Sequence, residues 1–549
     1  MKSFPRPDLL KSEGLGWSLP PLSGHAAHGM YNPMEFVVRI HPELQPELNK
    51  LTQGIYDPAR LDPATVSVFS TYLHETIHWW QHVGSTAGLV LSLSYPAQTH
   101  LNHAPLTSLL RAIGPRKSLR RLDLAKSAPV PEAARQDLNR VLNNWHDIEA
   151  CTTLMLSPRD ATHWVEGRYF ESVGHSYHIM WSACIWLLSA GIDPHLAVLP
   201  NARAWDEGFA ELEKRRVFGH YYGSPVRLHP VGTREIFEGQ ARFSQMQYLH
   251  FASGGALDFA DFWTMGMLDG VYLEAFEWFL ALVDAPVPES VDDPVVALFL
   301  LICDLAINPA DGFPFDIRVF ESFVFDVDPA TRFYLFCSLV RERHPEFKGT
   351  IAAYSRGEYE EAVETLSRAA VSPSPLAAAE RIARWPAEHQ GMLKLLEEEA
   401  PFRFGTANLP VRLFFSRFLR FQLDKARRPE YFVWPGAWLV ERKGGDRSLE
   451  ESVVLFNRHE PLFVDAPDGE IRPRLIAGRA EEDVQKTFNA FYSWCAAYNL
   501  VRQWTIADGP FDFDFRWLAP NAAPTDTRAW ASATFVELFG VDPGAFEVL

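Results

Sequence analysis

The amino-acid sequence predicts a mainly α fold, a large helical domain followed by a smaller α+β or irregular C-terminal domain. Three observations lead there. From about Pro63 to Cys337, long apolar segments recur with helical periodicity. Short Pro/Gly breaks at Gly191–Pro194, Gly223–Pro225 and Pro286–Pro294 separate them. Beyond about Pro401, helical stretches alternate with strand-like runs, YFVWPGAWLV and SVVLF, and with Pro/Asp/Gly turns.

Taken in order, residues 1–35 are rich in Pro, Gly and Ser without a period and read as an extended lead-in. Glu35 to Ile40 (EFVVRI) has strand character and stops at Pro42. A helical domain is expected over 36–345, where aromatic residues crowd and imply closely packed helices. The segment GTIAAYSRGEYEEAVETLSRAA (349–370) reads as one tetratricopeptide-like helix pair, with no second copy at a spacing of about 34 residues. Pro373 to Pro375 reads as a linker, and the acidic run Glu397–Glu399 as a solvated helix face. Residues 346–400 thus form a helical segment of their own, and 401–549 an α+β accessory domain.

Composition narrows the function classes. Hydrophobic residues make up 47 % of the 549 and charged residues 22 %, ordinary globular values that exclude wholesale disorder. Lys plus Arg number 51 against 69 Asp plus Glu, a net charge of −18. Such a surface repels phosphate backbones, so nucleic acid is not an expected partner. The five cysteines (Cys151, Cys184, Cys303, Cys337, Cys495) are widely spaced without a CxxC pair, which argues against a disulfide framework and for a reducing compartment. The N-terminus lacks the apolar stretch of a signal peptide. The longest apolar run, Pro294 to Ile307, is broken by Asp304 and falls short of the about 20 residues that span a bilayer. A cytoplasmic protein with no membrane association is expected.

The chemistry lies in STYLHETIHWWQHVGS (70–85), which contains His74-Glu75-Thr76-Ile77-His78, an HExxH motif. On a helix, residues i and i+4 share a face one turn apart. Two imidazoles so placed can share one tetrahedral Zn²⁺, and the intervening Glu75 can act as general base on water. Chance would give roughly 0.05 such matches in a chain of this composition. At 100° steps Val66, Phe69, Leu73, Ile77, Trp80 and Val83 form one apolar stripe, while His74 and His78 share another face with Gln81 close by. A core histidine would instead sit within the apolar stripe. His82 lies ~12 Å along the axis from His74, so it reads as a surface or supporting residue. Trp79 and Trp80 read as anchors of the helix.

The motif resembles that of the zincin metallopeptidases. The metzincin continuation HExxHxxGxxH is missing, because Gln81 and Gly84 stand at its Gly and final His positions. The resemblance therefore implies the gluzincin type, in which a Glu on a later helix completes the zinc site. It covers HETIH (74–78) and a later Glu-bearing helix, and says nothing about the C-terminal 200 or so residues.

Three segments compete to supply the rest. In GTREIFEGQARFSQ (232–245), Glu238 has small neighbours, Gly239 and Ala241, that permit close helix approach. It is the favoured third ligand, against a simple i,i+4 ion pair with Arg242. Glu235 lies nearer the expected helix start, where acids are common anyway. In LNNWHDIEACTTLM (142–155), Glu149 falls within an apolar stripe and must be paired, protonated or metal-bound, which makes it the rival ligand. In RYFESVGHSYHIMWSACIWLL (168–188), Glu171, His175, His178 and Ser182 form a narrow polar stripe on an otherwise apolar helix. It is either a wall of the catalytic cleft, with His175 or His178 stabilising an oxyanion or orienting a ligand, or a satisfied hydrogen-bond network.

The expected function is zinc-dependent hydrolysis of a peptide or protein substrate, with Zn²⁺ held by His74, His78 and Glu238. The same chemistry serves a non-peptide amide or ester hydrolase. A non-catalytic helical interaction protein with a vestigial HExxH is the remaining alternative. An unrestrained intracellular peptidase endangers its host, so narrow specificity is expected, or activation by a protein partner recruited through the C-terminal region.

Overall fold

The computed structural model describes residues 63–125, 130–405, 408–440, 449–465, 471–474, 479–515, 518 and 521–549. The lead-in over 1–35 and the strand expected at Glu35–Ile40 lie outside the described residues. Those described are mainly helical. The principal helices are α1 (Pro63–Gly84), α2 (Thr86–Leu101), α3 (Glu132–Leu156), α4 (Val173–Gly191), α5 (Arg203–Lys214), α6 (Thr233–Ala252), α7 (Val271–Val283), α8 (Pro294–Ile307), α9 (Pro329–Arg343), α10 (Arg356–Ala369), α11 (Pro375–Glu388), α12 (Gln390–Glu399), α13 (Leu409–Arg427), α14 (Glu481–Ile506) and α15 (Pro524–Phe539). Two small ladders accompany them. β1 (Arg116–Lys117) pairs in parallel with β4 (Glu547–Val548), and β2 (Phe463–Asp465) pairs antiparallel with β3 (Ile471–Pro473).

Helix α1 is the centre of the packing. Every residue from Thr65 to Gly84 is buried, so its polar face is enclosed as well as its apolar stripe. Helices α6, α2 and α13 cover it. The turn into α2 is fixed by Ser85, whose hydroxyl donates to the Gln81 carbonyl at 2.5 Å and accepts from the Gly88 N–H at 3.0 Å. One side chain thereby ends α1 and caps α2. Gly88 lets the backbones touch, since a Cβ there would lie 2.0 Å from the Gln81 carbonyl oxygen. Trp80 anchors α1 by donating to the His459 carbonyl at 2.8 Å and packing against Tyr431, Phe432 and Phe456.

One contiguous hydrophobic cluster runs from Val66 to Leu518, so α13 and the start of α14 are built into the same core as α1. A second cluster joins Leu142 and Trp145 of α3 to Leu500 and Trp504 of α14 and Phe535 of α15. Helix α8 is buried in the main core, and no helix among the described residues is long and apolar enough to cross a membrane.

Three local expectations are corrected. The strand-like runs beyond Pro401 are helical. YFVWPGAWLV falls on the short helices Pro429–Val433 and Pro435–Trp438, and SVVLF within Leu449–Arg458. Burial of Ser452, Leu455 and Phe456 along one helical face outweighs the strand preference of the two valines. The tetratricopeptide-like segment holds one helix, α10, rather than a pair, because Gly349 to Ser355 is not helical and α11 starts only at Pro375. The acidic run is a solvated face only at Glu397, which is exposed. Glu399 is buried against Arg417 at 2.8 Å, Arg479 at 2.8 Å and Arg420 at 3.3 Å, and Glu398 meets Arg412 at 2.6 Å. Those arginines arrive from α13 and from Arg479 just ahead of α14, which no spacing within the run reveals.

Candidate metal centre

The helical reading of 65–83 sets His74 and His78 one turn apart, and α1 presents them so. Their rings meet edge to face with centroids 4.7 Å apart and Nε2 atoms at 3.1 Å. Helix α6, lying along α1, brings Glu238 to the same point. Its Oε2 stands 3.5 Å from His74 Nε2 and 3.2 Å from His78 Nε2. Among the described residues, these three form the one cluster of His, Cys, Asp or Glu able to hold a metal ion. The separations have a plain geometric meaning. A tetrahedral ion with bonds of ~2.0–2.1 Å has ligand–ligand edges of ~3.3–3.4 Å. The three observed edges bracket that length.

The donor set also needs a cation. Glu238 Oε2 is buried with no hydrogen bond, facing two imidazole nitrogens. Burial pushes His74 down to about 3. Burial also opposes charge on His78, but Glu238 and then Glu75 outweigh it and lift His78 to about 9. Burial would raise Glu238, yet the His78 charge and its contacts with both imidazoles hold it well below the usual carboxylate range. Three lone-pair donors converging in a buried space are stable only around a positive charge, whether a proton or a metal ion. The residues present fit zinc.

Supporting groups orient this set. His78 Nδ1 lies 2.8 Å from Gln81 Oε1, which fixes the tautomer that leaves Nε2 turned to the site. The Gln81 amide donates to the Phe237 carbonyl and to Gln240 Oε1, each at 2.9 Å, tying α1 to α6 beside Glu238. Glu75 is buried, its Oε1 has no hydrogen bond, and burial raises it to about 7. Arg242 does not form the ion pair with Glu238 considered above. It is fully buried, its guanidinium lies 4.0 Å over the Tyr272 ring, and it donates to Gln245 Oε1 at 2.6 Å. Tyr272 of α7 sets its half-buried ring 5.8 Å from that of His74. Sequence reasoning missed Tyr272, which lies in an apolar helix some 200 residues after the motif. It placed Gln81 close to the histidine face but gave it no role in orienting the histidines.

The other candidates lie elsewhere. Glu149 pairs with Arg502 at 2.5 Å and accepts from Tyr95 at 3.3 Å, so its buried charge is compensated by α14 rather than by the histidines. His175 sits between Asp147 at 3.3 Å and Glu171 at 3.5 Å, and Ser176 also donates to Asp147. His178 stacks on Phe209 with centroids 4.1 Å apart and faces Asp206 at 3.2 Å. Among the described residues neither ring contacts His74, His78 or Glu238, and both belong to a polar network between α3, α4 and α5, the second of the two readings above. Glu235 caps its own helix, accepting from the Gly232 N–H at 2.7 Å. His82 is buried edge-on against Phe237, not on the surface. Gly239 faces Phe299 and Ala275, so the small residue next to Glu238 serves the packing of α6 against α7 and α8.

No protein-family model, no curated protein and no solved structure matches the chain.

Proposed function

We propose that this protein is a zinc-dependent hydrolase of the zincin kind, with peptide bonds as its substrates. The observation that carries the reading is the triangle of His74 Nε2, His78 Nε2 and Glu238 Oε2, with edges of 3.1, 3.5 and 3.2 Å. These three atoms would hold the ion. The chemistry it supplies is Lewis acidity, which polarises a carbonyl and acidifies water toward a pKa of ~7. Glu75 follows His74 on the same helix, buried next to it with an Oε1 that makes no hydrogen bond. Such a group can take a proton from attacking water and return it to a leaving amine. Gln81 holds His78 in the required tautomer. Tyr272 stands beside His74 at the edge of the site.

The site admits substrate narrowly, because His74, Glu75 and His78 are all buried. Narrow specificity follows, and casein should survive incubation with the purified protein alone. The acidic balance of the chain favours basic or neutral substrates.

The test is metal analysis of the purified full-length chain, followed by assays on unfolded proteins, peptides and small amides and esters. About one zinc per chain is expected, lost in His74→Ala, His78→Ala and Glu238→Ala. Glu75→Gln should keep the metal and lose hydrolysis by about 10²–10⁴-fold. A folded protein with far less than one metal per chain would refute the reading. Activity confined to the small esters would move it to a non-peptide hydrolase.

A further inference from the structure

A second concave site lies in the C-terminal part of the chain, formed by α14, α15 and β3. Its volume is about 560 Å³, within the range of ligand pockets. The walls are aromatic. The rings of Phe488 and Tyr492 lie 5.0 Å apart, and those of Phe515 and Trp530 5.7 Å apart. Two carboxylates, Glu481 and Asp526, stand at its edge. An open groove on the adjoining face of α14 shares Glu481, Gln485 and Asn489 with the cavity and adds Glu482 and Lys486.

We propose that this cavity and groove dock a polypeptide segment carrying a cationic side chain, Arg or Lys. Charge sets the sign. Within the described residues Glu481, Glu482 and Asp526 make no ion pair, so three carboxylates stand against the single groove cation Lys486, and the Arg472 at the β3 wall already interacts with other protein groups. First-turn carboxylates are favoured by helix ends anyway, so charge alone would mean little. What adds to it is the cavity's aromatic lining, of which Phe488 and Trp530 are partly exposed, since a cation beside carboxylates and against a ring gains from both. The amides select a peptide. Gln485 Nε2 donates to Asn489 Oδ1 at 3.0 Å, which leaves the Gln485 oxygen and the Asn489 NH₂ as an acceptor and a donor one helical turn apart. That pair complements a peptide unit's own N–H and C=O. The wall is also joined to the catalytic helix. β3 leads into Arg474, which lies 3.0 Å from Glu460 and donates to the Tyr72 hydroxyl two residues before His74.

The test is calorimetric titration of the full-length Glu75→Gln protein with acetyl-Leu-Arg-Leu-amide, acetyl-Leu-Glu-Leu-amide and agmatine, a guanidinium without peptide groups. The arginine peptide is expected to bind with a Kd of about 1 mM or tighter and the glutamate peptide at least about tenfold more weakly. The double variant E481Q/D526N changes only exposed groups and should weaken the arginine peptide about tenfold, as should Trp530→Ala. His74→Ala protein should bind it unchanged, so failure of the metal reading leaves this one standing. Equal binding of the glutamate peptide overturns the proposal, as does binding of agmatine as tight as that of the arginine peptide. So does binding that survives both the double variant and Trp530→Ala. A concentration-dependent dimer dissolved by Trp530→Ala would give the face to a second copy of the chain and also overturn it.

Discussion

Gln81 shows how much a single side chain decides. Its carbonyl oxygen fixes the His78 tautomer and its amide ties α1 to α6. Gln81→Leu keeps the volume and removes both. Zinc affinity, measured by competition with a chromogenic chelator, should fall about 10–100-fold while the fold is retained. Glu149 makes the complementary point. Its carboxylate is held by Arg502 in a buried setting, so Arg502→Met should leave an unpaired charge and cost about 3 kcal/mol in denaturant unfolding. Zinc content should not change, because the pair belongs to the junction of α3 with α14. Loss of the metal in Arg502→Met would place Glu149 in the metal site after all.

Among the elements, the fit of α1 against its neighbours sets the site. The close approach of α2 at Gly88 leaves no room for a methyl group, and the atom in the way is backbone. Gly88→Ala should therefore part the two helices and destabilise the protein by about 3 kcal/mol or more. Gly357, in the first turn of α10, has open space around it. Gly357→Ala should raise the melting temperature, with a gain of about 0.5–1 kcal/mol from helix propensity. Opposite signs for one chemical change would show that close approach, rather than glycine's flexibility, is what α1 and α2 require. Because α1 also carries the two histidines, Gly88→Ala should lower zinc affinity as well.

The whole molecule carries a pH dependence in its buried histidines. Burial lowers His178 to about 3, and it lowers His100 and His459 to about 4. In each case the folded pKa lies below the unfolded value of about 6.5. As pH falls below 6.5 the unfolded chain binds protons that the folded chain refuses. This part of the stability is therefore complete above pH 6.5 and is lost toward pH 4 to 3, by about 1.4 kcal/mol per pH unit and group. Denaturant unfolding between pH 7.5 and 5 should show stability falling with acid. His178→Phe keeps the stacking on Phe209 and should reduce the slope by about one proton. An unchanged slope would mean that His178 titrates normally in the folded chain. The core spanning Val66 to Leu518 makes this loss cooperative, since α1 and α13 cannot unfold separately without exposing one shared interior.

The sequence by itself determined that the chain is mainly helical and that HETIH rides on a helix with its two histidines apart from the apolar stripe. Both are local facts: a repeat of 3.6 residues places side chains on faces before any packing occurs. Glu238 was favoured for its setting and Glu149 remained open, because a carboxylate on an apolar face needs a partner whose identity the face does not disclose. Only the tertiary structure showed which of the two lies beside the histidines. It laid α6 along α1 and brought Arg502 to Glu149 from some 350 residues away. The same long-range packing buried Glu399 among arginines, drew His175 and His178 into a separate network and set Tyr272 beside His74. Spacing encodes the faces of one helix, whereas the meeting of two faces depends on the burial and charge balance of the whole chain.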